Sequence, residues 1–341
     1  MNSIPRLQGE LLRIWRMLLR TESVSIDDDF FDVGGDSLLA TELVLELQRL
    51  TGRTIPESLL FETATVRGVA ERLAQTDDLQ PKFAVRVGAA SADTTQLLFF
   101  HGDWTSGGFY LRHLAQELGP DQPIVAIAPH QLGNGPVPSS IPAMAVDRLP
   151  TILETQPKGP FRLVGHCVGG IVAFETARLL ISRGHRVEIV VLIDPPLSRA
   201  GEFLRVRRDS APDGGGQDPT ETPNDRSFLT LGDSSEPTER WYGECLAAYW
   251  PAPLAAPLVV FSSEFDATPW QAVSHDLEII EIPGNHFDWV TKRAADFALR
   301  LRSRVRDVSK AANRERAVLD GLQIPGASES KLRGASRSTE G

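Results

Sequence analysis

Residues 161–180 read FRLVGHCVGGIVAFETARLL, and this stretch decides the fold. Phe161–Val164 is a short apolar run of strand character, and Val168 onward is a good helix former. Between them stands Gly165-His166-Cys167-Val168-Gly169, with glycine two residues before and two after the cysteine. A strand that passes into a helix through so tight a turn needs backbone to run close by, which glycine permits. A free cysteine is ordinarily a small buried hydrophobe. Cys167 stands instead at a strand–helix junction, between two such glycines, where the G-x-S-x-G motif carries its nucleophilic serine. A helix N-terminus also favours the reactive thiolate over the thiol.

Outward from this turn, strand patterns alternate with helix patterns, as in a mostly parallel sheet. Candidate strands are 97–100, 124–127, 161–164, 187–193, 258–261 and 277–282. Candidate helices are 109–118, 143–155 with a kink near Pro150, 168–182 and 292–304. The fold class expected for residues 83–305 is therefore an α/β-hydrolase with a mostly parallel sheet. Residues 197–250 interrupt the alternation, and SAPDGGGQDPTETPND within them is too rich in Gly, Pro and Asp to pack well. An insertion of that length between core strands is expected to form a lid over the site.

Residues 1–76 are all helical by apolar period. Leu7, Leu11, Ile14 and Leu18 share one face. An acidic, glycine-containing loop, SIDDDFFDVGGDS, leads into a helix over 37–50, and another helix begins near Ala64. Residues 77–82 read as a linker. Residues 306–341 are polar and charged and are expected to be a disordered tail.

The composition, 41% hydrophobic and 23% charged, is that of a globular protein. A net charge of −10 and the lack of a basic stripe argue against nucleic acid as a partner. No apolar run reaches the ~20 residues of a membrane span. The first residues, MNSIPRLQGELLRIW, lack the apolar core of a signal peptide. The only cysteines are Cys167 and Cys245. They imply free thiols in a reducing, cytoplasmic setting and no cysteine-based metal site.

A cysteine nucleophile needs a base, and the base needs an orienting acid. His286, in LEIIEIPGNHFDWV, follows a late strand in a loop before the final helix, where the base of such a fold belongs. His275 starts a strand, His166 lies inside the turn and is expected to point elsewhere, and His101 is expected to brace its own loop. Two acids compete. Asp194 ends the strand VEIVVLID, and Asp266 follows LVVFSSEFD. The oxyanion hole is expected from the amide of Val168 and from the loop FFHGDWTSGGF, with Asp103 the first choice and Trp104 the next.

Two longer signatures name families. DDDFFDVGGDSLLATELVLEL, continued by PESLLFETATVRGVAERL, resembles the phosphopantetheine attachment site of carrier proteins from nonribosomal peptide and polyketide synthases. The resemblance implies a four-helix carrier domain with 4′-phosphopantetheine on Ser37. A phosphate there would meet the free N–H groups of a helix start. Residues 83–305 resemble the thioesterase domains that end such assembly lines, in LLFFHGDWTSGGFYLRHLAQEL, FRLVGHCVGGIVAFETARLL, VEIVVLIDPP and PGNHFDWV. In that family the acid follows the strand that Asp194 ends, which decides for Asp194 over Asp266. Cys167 departs from the family's usual serine, and HGDWTSGG from its usual loop.

Together the two resemblances imply release of an acyl or peptidyl chain from the carrier through an acyl-cysteine, by hydrolysis or cyclisation. The alternatives are transfer of the acyl group to an amine, hydroxyl or carbon nucleophile, and a carrier-docking module with an inactive hydrolase domain. Partners implied are a phosphopantetheinyl transferase and upstream loading or synthase proteins.

Overall fold

The structure, a computed structural model, describes residues 3–75, 79–88, 94–103, 107–131, 137–197 and 236–321. The chain opens with α1 (Ile4–Leu19), α2 (Ser37–Thr51), α3 (Ser58–Glu62) and α4 (Val66–Ala74). Asp36 caps α2 by accepting from Leu39 N at 2.8 Å, and Thr65 caps α4 by accepting from Gly68 N at 3.1 Å. The buried face of α1 is Leu7, Leu11 and Trp15, so Trp15 takes the core place that the spacing gave to Ile14. Leu38 projects outward, 67% exposed.

There follow β1 (Ala84–Val87), β2 (Leu97–Phe100), α5 (Tyr110–Leu118), β3 (Ile124–Ile127), α6 (Ile141–Thr155), β4 (Phe161–His166), α7 (Val168–Ser182) and β5 (Val187–Ile193). Then come α8 (Pro237–Ala247), β6 (Leu258–Ser262), a 3-10 turn at Thr268–Ala272, β7 (Leu277–Glu281) and α9 (Ala294–Gly321). The strands form one sheet in the order β1-β3-β2-β4-β5-β6-β7, parallel except for the β1–β3 pair at its edge. β4 is the central strand.

Side chains alternate between the two faces of the inner strands, and both faces are buried, as a parallel sheet requires. Leu163, Val190, Leu192, Leu258 and Val260 join the core under α6, α7 and α8. Val164, Val191, Ile193, Val259 and Phe261 join the opposite core, under α5 and α9, and that core runs on into the four N-terminal helices.

Two expectations are corrected here. β1 was not anticipated. The helix expected to stop at 304 runs to Gly321, so residues 306–321 are not a disordered tail. Val308 packs on the core and Arg162 donates to Ser309 Oγ at 3.0 Å, which extends the helix past the charged stretch. Most of the expected lid, residues 198–235, lies outside the described residues, as do 322–341. Among the described residues, no helix is long and apolar enough to cross a membrane.

Candidate active site

Cys167 sits between β4 and α7 with φ 55° and ψ −132°. A side-chain-bearing residue at positive φ is strained by roughly 1–3 kcal/mol and persists only where its surroundings impose it. They do so here. Cys167 N donates to Ile193 O at 2.9 Å, and Gly170 N donates to Cys167 O at 2.9 Å. The loop after β2 presses against the turn: a Cβ on Gly169 would collide with Phe100 O, and one on Gly102 would lie 2.9 Å from Cys167 Cβ. Asp103, next in that loop, is buried, and its carbonyl lies 3.1 Å from His101 Nδ1. His101 thus braces the loop that follows its strand. Trp104 lies outside the described residues.

Asp194 follows β5 directly and also has positive φ, 48°. The structure joins Asp194 to His286: His286 Nδ1 donates to Asp194 Oδ2 at 2.7 Å. The carboxylate is held from its other side by the loop after β6. Ser263 N, Glu264 N and Phe265 N donate to Oδ1 at 2.9, 3.0 and 3.1 Å, and Ser263 Oγ donates to Oδ2 at 2.9 Å. Asp266 only accepts from Thr268 N at 2.9 Å, two residues along its own loop. His275 is exposed beside β7.

The charges follow from these contacts. Burial would raise the Asp194 carboxyl, but the hydrogen bond and charge of His286 and the loop N–H donors outweigh it, and the pKa falls to about 2. Burial would likewise lower His286, yet the Cys167 charge and its hydrogen bonds to Asp194 and Cys167 raise it well above the ordinary histidine value. His101 is lowered to about 4 and His166 to about 3, in both cases chiefly by burial. Asp194, Glu264 and His286 offer ligand atoms within 4.8 Å of one another, but both Asp194 oxygens already accept hydrogen bonds. The group is a hydrogen-bonded acid rather than an open donor set.

His166 does not point elsewhere. It is fully buried, its ring lies 4.6 Å from that of His286, and its Nε2 lies 2.9 Å from His286 O. Ser263 and Tyr110 also belong to the site's surroundings and were not anticipated. A contact between residues 120 positions apart has no local signal in the sequence.

Ser37 opens α2, half-buried, and Thr41 one turn on donates to Ser37 O at 3.0 Å. Thr41 and Glu57 line one wall of a cavity of about 830 Å³ whose other wall includes His101, His130 and Arg148. A smaller hollow shares those three residues and reaches Val168 at the turn. Burial, then the charge of Asp103, raises Glu57 to about 7. The N-terminal helices seat on α5. Arg112 donates to Leu60 O at 3.0 Å and pairs with Asp29, its guanidinium lies 4.6 Å from the Phe31 ring centroid, and Gln116 donates to Asp32 at 2.9 Å. Phe109 packs between Phe31 and Phe61.

Comparison with known proteins divides the chain in the same way. A family model described as a phosphopantetheine attachment site matches residues 9–73, and one described as a thioesterase domain matches residues 95–214. Indigoidine synthase of Streptomyces lavendulae is 33% identical over 191 residues, covering 55% of this chain and 15% of that protein. A dimodular nonribosomal peptide synthase of Bacillus subtilis (strain 168) is 32% identical over 216 residues, covering 61% of this chain and 9% of that protein. The chain thus spans under a sixth of either relative. Among solved structures, a four-domain nonribosomal peptide synthetase in its holo form, bound to AMP and glycine, superposes with a TM-score of 0.50 at 22% identity, covering 94% of this chain and 26% of that one.

Proposed function

We propose that this chain, a carrier–thioesterase didomain of the nonribosomal peptide synthetase type, releases an acyl or peptidyl chain from its carrier through a covalent intermediate on Cys167. The observation that supports the reading most is the pairing of His286, after β7, with Asp194, after β5, through Nδ1 and Oδ2 at 2.7 Å, with Cys167, after β4, interacting with the same imidazole. We assign residues 1–76 to the carrier, 77–82 to the linker and 83 onward to the thioesterase.

The carrier's cofactor, 4′-phosphopantetheine, belongs on Ser37. The site fits: Ser37 is the first residue of a capped helix, where unpaired N–H groups favour a phosphate, and the cavity begins one turn away at Thr41. When bound, the arm supplies the thioester that presents the acyl chain. Cys167 Sγ attacks the thioester carbonyl carbon. We assign the oxyanion hole to the backbone N–H of Val168 and to that of Asp103 in the loop after β2. His286 takes the proton of the Cys167 thiol and would return it to the sulfur displaced from the carbonyl carbon. His286 then accepts a proton from the incoming nucleophile, and Asp194 keeps it in the Nδ1–H tautomer that this requires.

A second reading rests on Cys167 itself. Acyl-cysteine is still a thioester, so the acyl group stays reactive toward an amine, a hydroxyl or a carbanion as well as water. Transfer or ring closure is therefore the alternative to hydrolysis.

Intact mass analysis tests the proposal. A phosphopantetheinyl transferase with an acyl-coenzyme A should load the wild type once, and Ser37→Ala not at all. Cys167→Ala should stay loaded. Cys167→Ser should form a more stable oxoester and accumulate it or leak free acid. Release at the wild-type rate from Cys167→Ala would refute the covalent route.

A further inference from the structure

His166 ends β4 beside the nucleophile, yet the chemistry above gives its side chain no task. Its environment is specific. Nε2 lies 2.9 Å from His286 O, and Nδ1 lies 3.3 Å from Tyr110 Oη. A carbonyl oxygen can only accept, so Nε2 carries the proton and Nδ1 is left to accept from the tyrosine hydroxyl; one tautomer satisfies both contacts. The ring lies at 32° to the plane of His286, and Phe287 closes the other edge with a centroid distance of 5.2 Å.

A core histidine that merely fills space would satisfy its nitrogens on any neighbours. His166 instead touches both the ring and the backbone of one residue, and that residue sits in a loop rather than in a strand or helix. Asp194 fixes His286 at Nδ1. Asn285 Oδ1 accepts from Phe287 N and Asp288 N at 3.1 and 3.0 Å and shapes the loop from beyond. Neither contact sets the plane of the imidazole or the height of its backbone above the turn. His166 lies against the ring and meets the backbone carbonyl, beside Phe265 and Phe287, whose rings meet the imidazole edge-on at 5.4 and 5.2 Å, and Tyr110, the first residue of α5, contacts His166.

We propose that His166 and Tyr110 are positioning residues for the base: the chain Tyr110–His166–His286 holds the imidazole against Cys167. The proposal rests on the catalytic reading of Cys167, His286 and Asp194. Burial, followed by the positive charge of His286, keeps His166 neutral at working pH, so a cationic base can lie against it without repulsion.

Three variants test it. His166→Phe keeps a ring but loses both hydrogen bonds. His166→Gln keeps an N–H donor near the position of Nε2. Tyr110→Phe deletes one hydroxyl. With a small soluble acyl thioester, acylation of Cys167 should slow about 10²-fold in His166→Phe, the cost of a misplaced catalytic group, with KM nearly unchanged. His166→Gln should recover about tenfold of that loss, and Tyr110→Phe should lose about three- to tenfold.

A second readout does not need turnover. The pH profile of iodoacetamide alkylation at Cys167, separated from Cys245 by peptide mass, reports the Cys167–His286 pair. Its midpoint should move by about half a pH unit or more in His166→Phe and stay near the wild type in His166→Gln. A folded His166→Phe with wild-type acylation and midpoint overturns the proposal, as does a folded His166→Gln no better than His166→Phe. If His166→Phe does not fold, a wild-type rate and midpoint in Tyr110→Phe overturn it. A wild type that never acylates at Cys167 would sink the catalytic reading instead, and the alkylation midpoints would still report whether His166 positions His286.

Discussion

At the scale of single residues, Asp194 and Asp266 show how geometry separates two acids that the sequence leaves side by side. Asp194 spends both oxygens on five donors, and one of them is His286. Asparagine there would turn an N–H toward His286 Nδ1 and force the other tautomer, which cannot take a proton from the nucleophile. Asp194→Asn should therefore cut chain release by about 10³–10⁴-fold. Asp266→Asn, which touches only a turn, should stay within about twofold. Steady-state release from a loaded carrier measures both, and a reversed order would move the acid to Asp266. The pH dependence carries a sign as well. The folded Asp194 carboxyl lies below its unfolded value, so its stabilisation is present above about pH 4 and is lost as pH falls toward 2. The asparagine variant should flatten that acid limb of a melting curve series. The turn at Cys167 and the loop that carries His286 are legible in the sequence, because a turn between glycines and a loop before the last helix are local patterns, whereas the preference for Asp194 over Asp266 comes from the family resemblance. The orientation of His166 is not legible, because its partner His286 lies in a loop 120 residues along the chain.

At the scale of elements, what could be read was whatever had length or period. The strands 97–100, 124–127 and 187–193 and the helix 168–182 lie where the apolar pattern put them. β1 has four residues on the sheet edge with only Val85 and Val87 buried, too few to show an alternation. α9 was misread for a different reason. Its later turns are charged, and a charged, polar composition carries no apolar period to mark a helix. Tertiary contacts supply what the sequence pattern withheld: Arg304 pairs with Glu278, Val308 covers the core, and Arg162, itself paired with Glu188, donates to Ser309. Truncation after residue 305 removes Val308 and Ser309. It should cost about 1 kcal/mol and lower Tm by about 2–4 °C for a domain of this size. Thermal unfolding of the shortened chain measures it, and an unchanged Tm would show that the added turns are ornamental.

At the scale of the whole molecule, the two domains share one core, and the shared element is α5. Its outer side receives the carrier through Phe109, Arg112 and Gln116, while Tyr110 at its start reaches His166. Neither domain's sequence announces this contact, since the acidic loop at 27–32 reads as a solvated carrier signature until Arg112 is seen against Asp29 and Gln116 against Asp32. Docking matters because a tethered substrate gains its rate from effective concentration, and that gain vanishes if the geometry is lost. Arg112 joins a charge pair, a backbone carbonyl and the Phe31 ring, at 17% side-chain exposure. Hydrogen bonds to charged groups of this kind are worth about 1.5–3 kcal/mol, so Arg112→Ala should slow release of a chain carried on Ser37 by about 10–100-fold. The same variant should process a small soluble thioester within about twofold of wild type, because nothing at Cys167 has changed. The comparison must be made at fixed ionic strength, since salt weakens the partly exposed Asp29 pair on its own. Equal losses on both substrates would mean that Arg112 supports the site through α5 rather than the docking. No loss on either would mean that the seat on α5 is not the one from which the chain is delivered.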